Sequence, residues 1–353
     1  MNYTIQDLLA KVVEVQGSDL HIVVDSSPLI RKEDKLTPIL GIEKLNFENT
    51  KVLIYALLND EQRILLEKNK ELDFSFSYKE IGRFRGNAFF QKGNLSLALR
   101  LIPYKIPSFE ELHLPDFLLG FTEMPQGLIL VTGPTGQGKS TTIASMLEHI
   151  NINYAKNILT IEDPIEYVFE HKKSIIQQRE LHQDTMSWEN ALRSVLREDP
   201  NVVVVGEMRD FTTISSALTV AETGHLVFAT LHTNSAAQTI DRIIDVFPEY
   251  QQAQVRTQLA SVVEGVISQR LVVGKDGGRY PAVEVMTATS AVRNLIREGK
   301  THQIDNVIST SSDLGMVSLE RSLAMLVDAG TITFEDAQHQ TNKPTELARL
   351  IKK

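Results

Sequence analysis

The stretch Gly133, Pro134, Thr135, Gly136, Gln137, Gly138, Lys139, Ser140, Thr141 has the make-up of a phosphate-binding loop. Three glycines in six residues let the backbone curl so that consecutive N–H groups converge on phosphate oxygens at a helix N-terminus. Lys139 is spaced to reach the β- and γ-phosphates, and the Ser140 hydroxyl to ligate Mg2+. Three later segments carry groups suited to hydrolysis. Glu162, Asp163 and Glu166 follow the apolar run 158–161, where one carboxylate could orient and deprotonate a water. The plain alternative is a polar strand exit with Asp163-Pro164 as a turn. Gly206-Glu207 ends the run Asn201-Val-Val-Val-Val, and no aspartate precedes the glutamate. Glu207 is therefore expected to serve Mg2+ through water, since that ion keeps most of its waters. His225 and His232 bracket a further apolar run. A lone histidine beside a strand is more often a packing group than a catalyst. His232, with Thr233 and Asn234 after it, stands where a γ-phosphate sensor is expected; His225 reads as structural.

These groups need a frame. The apolar runs 128–132, 158–161, 202–205 and 226–230 alternate with helical stretches, the βαβ pattern of a parallel sheet, and the chemistry-bearing residues follow the runs. The second domain is therefore expected to be α/β. The first hundred residues read differently. An amphipathic helix over 5–15, a turn at Gly17-Ser18-Asp19, a helix over 53–66 and alternating runs at 72–78 and 96–102 predict a smaller α+β domain. Pro103, Pro107, Pro115 and Pro125 interrupt regular structure between the two. The expected division is a domain at 1–102, a linker at 103–114 and a second domain at 115–353. After Pro281 the pattern turns helical, with candidates at 290–299, 318–330 and 334–353.

Bulk properties narrow the partners. A chain of 353 residues with 42% hydrophobic content suits two globular domains. The absence of cysteine excludes disulfides and thiolate metal sites and fits the cytosol. No run approaches the ~20 apolar residues of a membrane span, and the N-terminus lacks a basic region followed by an apolar one. A net charge of −9 argues against a broad nucleic-acid footprint, so no nucleic acid is expected as partner.

Residues 133–140, 162–166, 206–210 and 224–232 together resemble the four boxes of the secretion ATPase superfamily. The strings Gly17-Ser-Asp-Leu-His21, Arg83-Phe-Arg-Gly-Asn-Ala-Phe89, Glu207-Met-Arg-Asp210, Ala221-Glu-Thr-Gly-His225 and Ala291-Val-Arg-Asn-Leu-Ile-Arg-Glu298 are similar to those of type IV pilus retraction ATPases. The likeness runs from Gly17 to about Leu319. It implies a RecA-like P-loop ATPase core, a PAS-like N-terminal domain and a helical C-terminal extension. It also implies ATP and Mg2+, a homohexamer, and a place at the inner face of the cytoplasmic membrane against the inner-membrane pilus platform protein. On this likeness Glu166 is the catalytic base, Glu207 the Mg2+-associated acid, and His225 with His232 a histidine box. Arg85 and Arg100 become arginine fingers for a neighbouring subunit, each such group being able to supply ~10³ to 10⁵ in rate. Without the likeness both read as solvated strand residues. Arg193, Arg197 and Arg209 are weaker candidates. The segment 291–298 becomes a coupling element, expected to bury Val292, Leu295 and Ile296 and to turn Arg293, Arg297 and Glu298 outward. The short N-terminal region and the lack of cysteine favour retraction over extension, and Met208 favours it over an accessory retraction role. A nucleotide-gated structural subunit and a nucleic-acid translocase are the readings from other classes.

Overall fold

In this computed structural model residues 3–32, 35–78, 82–103 and 105–351 are described. The chain divides into two units, residues 1–105 with 166–168, and residues 106–165 with 169–353. In the first, Thr4 and Asp7 form a capping box that starts the helix Ile5–Glu14. Its residues Ile5, Leu8, Leu9 and Val12 recur at helical spacing and are all buried. The single helix expected over 53–66 is two, Phe47–Tyr55 and Asp60–Asn69. Asn59 caps the second reciprocally with Gln62, and that cap is the break. Six strands follow the order β3-β2-β1-β6-β5-β4: β1 (Asp19–Ile22), β2 (Leu29–Lys32), β3 (Lys35–Pro38), β4 (Glu71–Tyr78), β5 (Gly82–Gln91) and β6 (Asn94–Pro103). All their pairings are antiparallel. One face packs Leu20, Ile22, Phe84, Leu97 and Leu99 on the helices.

The second unit is a seven-stranded sheet in the order β13-β12-β7-β11-β10-β8-β9. Its strands are β7 (Gly127–Thr132), β8 (Asn157–Glu162), β9 (Ile175–Glu180), β10 (Val202–Val205), β11 (Leu226–Leu231), β12 (Val263–Val273) and β13 (Arg279–Thr287). All neighbours are parallel except β13 on β12. Every residue of β7, β10 and β11 is buried, which is why these strands read as unbroken apolar runs. Strands β9, β12 and β13 add to the four expected, their runs being broken by groups such as Gln177, Gln178, Ser268 and Gln269. The helix Lys139–Asn153 covers one face through Ile143, Met146, Leu147 and Ile150. The helices Phe211–Glu222, Ala236–Asp245 and Glu249–Val262 cover the other.

Of the expected linker, residues 106–114 group with the second unit, where Phe109 and Leu114 are buried beside Ile129 and Met146. The C-terminal part holds the helices Ser290–Arg297, Ile304–Thr310, Leu319–Asp328, Phe334–His339 and Pro344–Leu350. The last two replace one expected helix, because Pro344 cannot continue a helix but starts one well. Val272, Ala282, Leu323, Ile332, Ala337 and Leu347 form a separate small core here. Among the described residues no helix is long and apolar enough to cross a membrane.

Candidate active site

The phosphate loop leaves the C-terminal end of β7 and enters the helix Lys139–Asn153, with Gly138 at its N-cap in the left-handed region, φ 79°. Gly133 lies against β12 so closely that a Cβ would stand 2.4 Å from the Gln269 carbonyl oxygen. Gln269, only 2% exposed, braces the loop from its side. Its Nε2 donates to the Gln137 carbonyl at 2.7 Å, and its Oε1 accepts from Thr142 Oγ1 at 2.7 Å. Gln137 returns the contact, its Oε1 accepting the Leu271 N–H at 2.6 Å. Gln269 was not a candidate on sequence; its signal is an amide inside an apolar strand. Lys139 is buried, and its Nζ donates to the carbonyls of Gly133 at 2.8 Å and Pro134 at 3.0 Å.

His232 stands just past the C-terminal end of β11, the strand between β7 and β10. Its Nδ1 is 3.3 Å from Lys139 Nζ and 3.5 Å from Thr135 Oγ1, and its Nε2 is 3.2 Å from Glu207 Oε1. An ammonium only donates, so Nδ1 accepts, and Nε2 carries the proton toward the carboxylate. Glu207 also meets Arg209 through two contacts, Nε to Oε1 at 2.7 Å and Nη2 to Oε2 at 2.8 Å. Burial opposes its charge, yet the Arg209 hydrogen bond and charge, with His232, hold its carboxyl below the usual range. Lysine, histidine and carboxylate thus touch in series across three neighbouring strand ends.

Residues 104–276 match the family model of type II/IV secretion system proteins. The type IV pilus retraction ATPase PilT of Pseudomonas aeruginosa is 47% identical over 340 residues, 96% of this chain and 98% of that protein. The chain belongs to the secretion ATPase family. The type IV pilus ATPase PilU of the same organism is 38% identical, covering 98% of this chain and 91% of its own. The crystal structure of the pilus retraction motor PilT with bound ADP superposes with a TM-score of 0.93 at 46% identity, covering 99% of this chain and all of that one. As a secretion ATPase of the pilus retraction type, the chain is a nucleotide-binding, ATP-hydrolysing enzyme.

The remaining candidates of this secretion ATPase are placed unevenly. His225 precedes β11, at the opposite end of that strand from His232, and its Nδ1 is 3.0 Å from the Val220 carbonyl and 3.0 Å from Thr223 Oγ1. One strand length, six residues or roughly 20 Å, separates it from the phosphate loop of its own subunit, so the two histidines form no common site there. Glu166 is exposed on the loop after β8, beyond a cis Asp163–Pro164 bond, in the short stretch 166–168 that groups with the first unit. Glu162 points along the sheet, accepting from Thr160 Oγ1 at 2.6 Å and Gln178 Nε2 at 3.1 Å. Arg193 makes an ordinary helical pair with Glu189, and Arg197 is exposed. Ser140 opens the first turn of the phosphate-loop helix, with Thr141 next to it. Arg293 departs from expectation. It turns back to donate to the carbonyls of Ala260 and Ser261 at 2.9 and 3.2 Å and to Glu264 at 2.8 Å, which closes the end of the helix Glu249–Val262. The outward groups of that motif are Asn294, Arg297 and Glu298.

In the first unit Arg85 and Arg100 are direct cross-strand partners on β5 and β6, hence side by side on one face, and both are exposed. Arg100 Nε donates to the buried Asp19 at 2.9 Å. In the second unit a hollow of about 180 Å³ opens beside Gly138 and Thr141, walled by Leu112, Leu114, Leu271 and Pro281 with Glu111 and Arg279 at its rim.

Proposed function

We propose that the chain is the protomer of a homohexameric motor that hydrolyses ATP with Mg2+ to retract type IV pili, working at the inner face of the cytoplasmic membrane on the pilus platform protein. The in-line contact of Lys139, His232 and Glu207 supports this most strongly. In the proposed cycle the backbone N–H groups of residues 136–140 and Lys139 hold the phosphates. His232 gives up its contact with Lys139 when a γ-phosphate takes the ammonium, so the charge state of the nucleotide is felt at the end of β11. Glu166 orients the attacking water. The donor set fits Mg2+: a hydroxyl from Ser140 and an ionised carboxylate from Glu207 are the hard oxygens this ion prefers. When bound, Mg2+ would spread the charge on the β,γ-phosphate oxygens. Arg85 and Arg100 would approach the γ-phosphate of a neighbouring subunit, and Asn294, Arg297 and Glu298 would face the partner that receives the work. The greater identity to PilT than to PilU supports retraction itself over an accessory role.

Light scattering after size exclusion, with a non-hydrolysable ATP analogue and Mg2+, is expected to give six times the 39.6 kDa protomer mass. A monomer or dimer at concentrations where hydrolysis is measured would contradict the ring.

A further inference from the structure

His232 reaches its position on the loop 232–235, and two side chains of the β12–β13 pair hold that loop. Arg270 Nη1 donates to Asn234 Oδ1 at 3.1 Å. Glu284 Oε1 accepts the N–H of Ala236, the first residue of the helix Ala236–Asp245, at 2.7 Å. Successive residues of a strand face opposite ways, so Gln269 braces the phosphate loop while its neighbour Arg270 serves the opposite face. In the antiparallel register Ser268 stands opposite Glu284 and Arg270 opposite Ala282. Arg270 and Glu284 are therefore diagonal neighbours on one face. The helix behind the loop is anchored by Ile240, Ile243 and Ile244 and already has its own cap, Ser235 Oγ accepting from Gln238 N–H at 3.3 Å. Folding the helix does not need a second, acidic acceptor. What that acceptor fixes is where the helix begins, and so where His232 stands.

We propose that Glu284, together with Arg270, is a positioning residue for ATP hydrolysis, holding the 232–235 loop so that His232 lies between Lys139 and Glu207. This rests on His232 being the phosphate sensor. The surroundings of Glu284 suit a working strut more than a passive one. Burial pushes its carboxyl up to about 7, helped by Asp305 on the helix Ile304–Thr310 and Glu320 on the helix Leu319–Asp328, against Lys343. Arg270 on β12 is the other charge facing it. A carboxylate accepts the Ala236 N–H more strongly than a carboxylic acid does. The strut therefore loosens as pH falls through about 7, and the hold on His232 weakens with it.

Steady-state phosphate release by the full chain, followed from about pH 6 to about pH 8, tests this. Glu284→Gln keeps an acceptor and loses the charge. It is expected to lower kcat at pH 8 on the order of 10- to 100-fold, with KM for ATP nearly unchanged and a flatter acidic limb. Asn234→Ala, which leaves the buried acid in place, is expected to lower kcat in the same direction. In a His232→Ala background Glu284→Gln should add no further loss, because the residue acts through His232. Wild-type kcat in Glu284→Gln, or a full extra loss on top of His232→Ala, would overturn the proposal. His232→Ala turning over at the wild-type rate would overturn the sensor assignment and the proposal with it.

Discussion

Lys139→Ala protein is expected to lose ATP turnover by on the order of 10²- to 10³-fold, the effect of removing one charge-stabilising donor from a closed site. Lys139 is 8% exposed, and its ammonium ties the Gly133 and Pro134 carbonyls to His232. Truncation removes the positive charge and unties the sensor together. Lys139→Arg should not rescue turnover, since the planar fork cannot occupy the space of a compact ammonium between two carbonyls and an imidazole. Phosphate release checks both variants, and titration with a fluorescent ATP analogue separates lost binding from lost chemistry. Turnover within threefold of wild type in Lys139→Ala would remove the phosphate loop from the mechanism.

The Arg85→Ala, Arg100→Ala double variant is expected to lose ~10³ to 10⁵ in turnover, the range of a lost arginine finger. Two like charges directly opposite on a sheet are unfavourable, and a solvated surface offers no reason to keep them. The pair is only part neutralised. Asp19 takes Arg100 at 2.9 Å and Arg31 at 3.8 Å, while the Arg85 side chain is exposed. An incoming anion would relieve that repulsion. Mixing decides whether the anion belongs to a neighbour. Lys139→Ala chains retain their arginines, and the double variant retains its phosphate loop. A mixed assembly should then recover turnover that neither variant shows alone. Failure to recover, with mixed rings demonstrated by mass, would place the arginines outside the catalytic boundary.

How much was visible in advance follows from how local each feature is. The phosphate loop is specified by nine consecutive residues, and its conformational demands are met by its own glycines. The buried strands of the second unit are likewise apolar along their whole length. Gln269 escaped because its role depends on β12 lying beside β7, a pairing between residues more than a hundred positions apart. His225 and His232 lie in one string of twelve residues, set apart there only by the Thr233 and Asn234 that follow His232; the strand between them, by its direction, puts His232 at the phosphate edge and His225 at the far edge. Arg293 was expected outward from helical periodicity alone. The carbonyls that end the preceding long helix draw it inward, an attraction that periodicity does not encode. Glu284 carries no local mark, being one acid in an apolar strand; its meaning comes from the helix start and the acidic neighbours folded around it.

The central claim, that hydrolysis at this loop retracts a pilus, is tested most directly in a strain lacking this chain, complemented with either the wild-type protein or Lys139→Ala, with surface pili counted and twitching measured. Surplus pili without twitching, corrected by the wild-type chain and not by Lys139→Ala, is the predicted result; absence of pili from the deletion strain would contradict it.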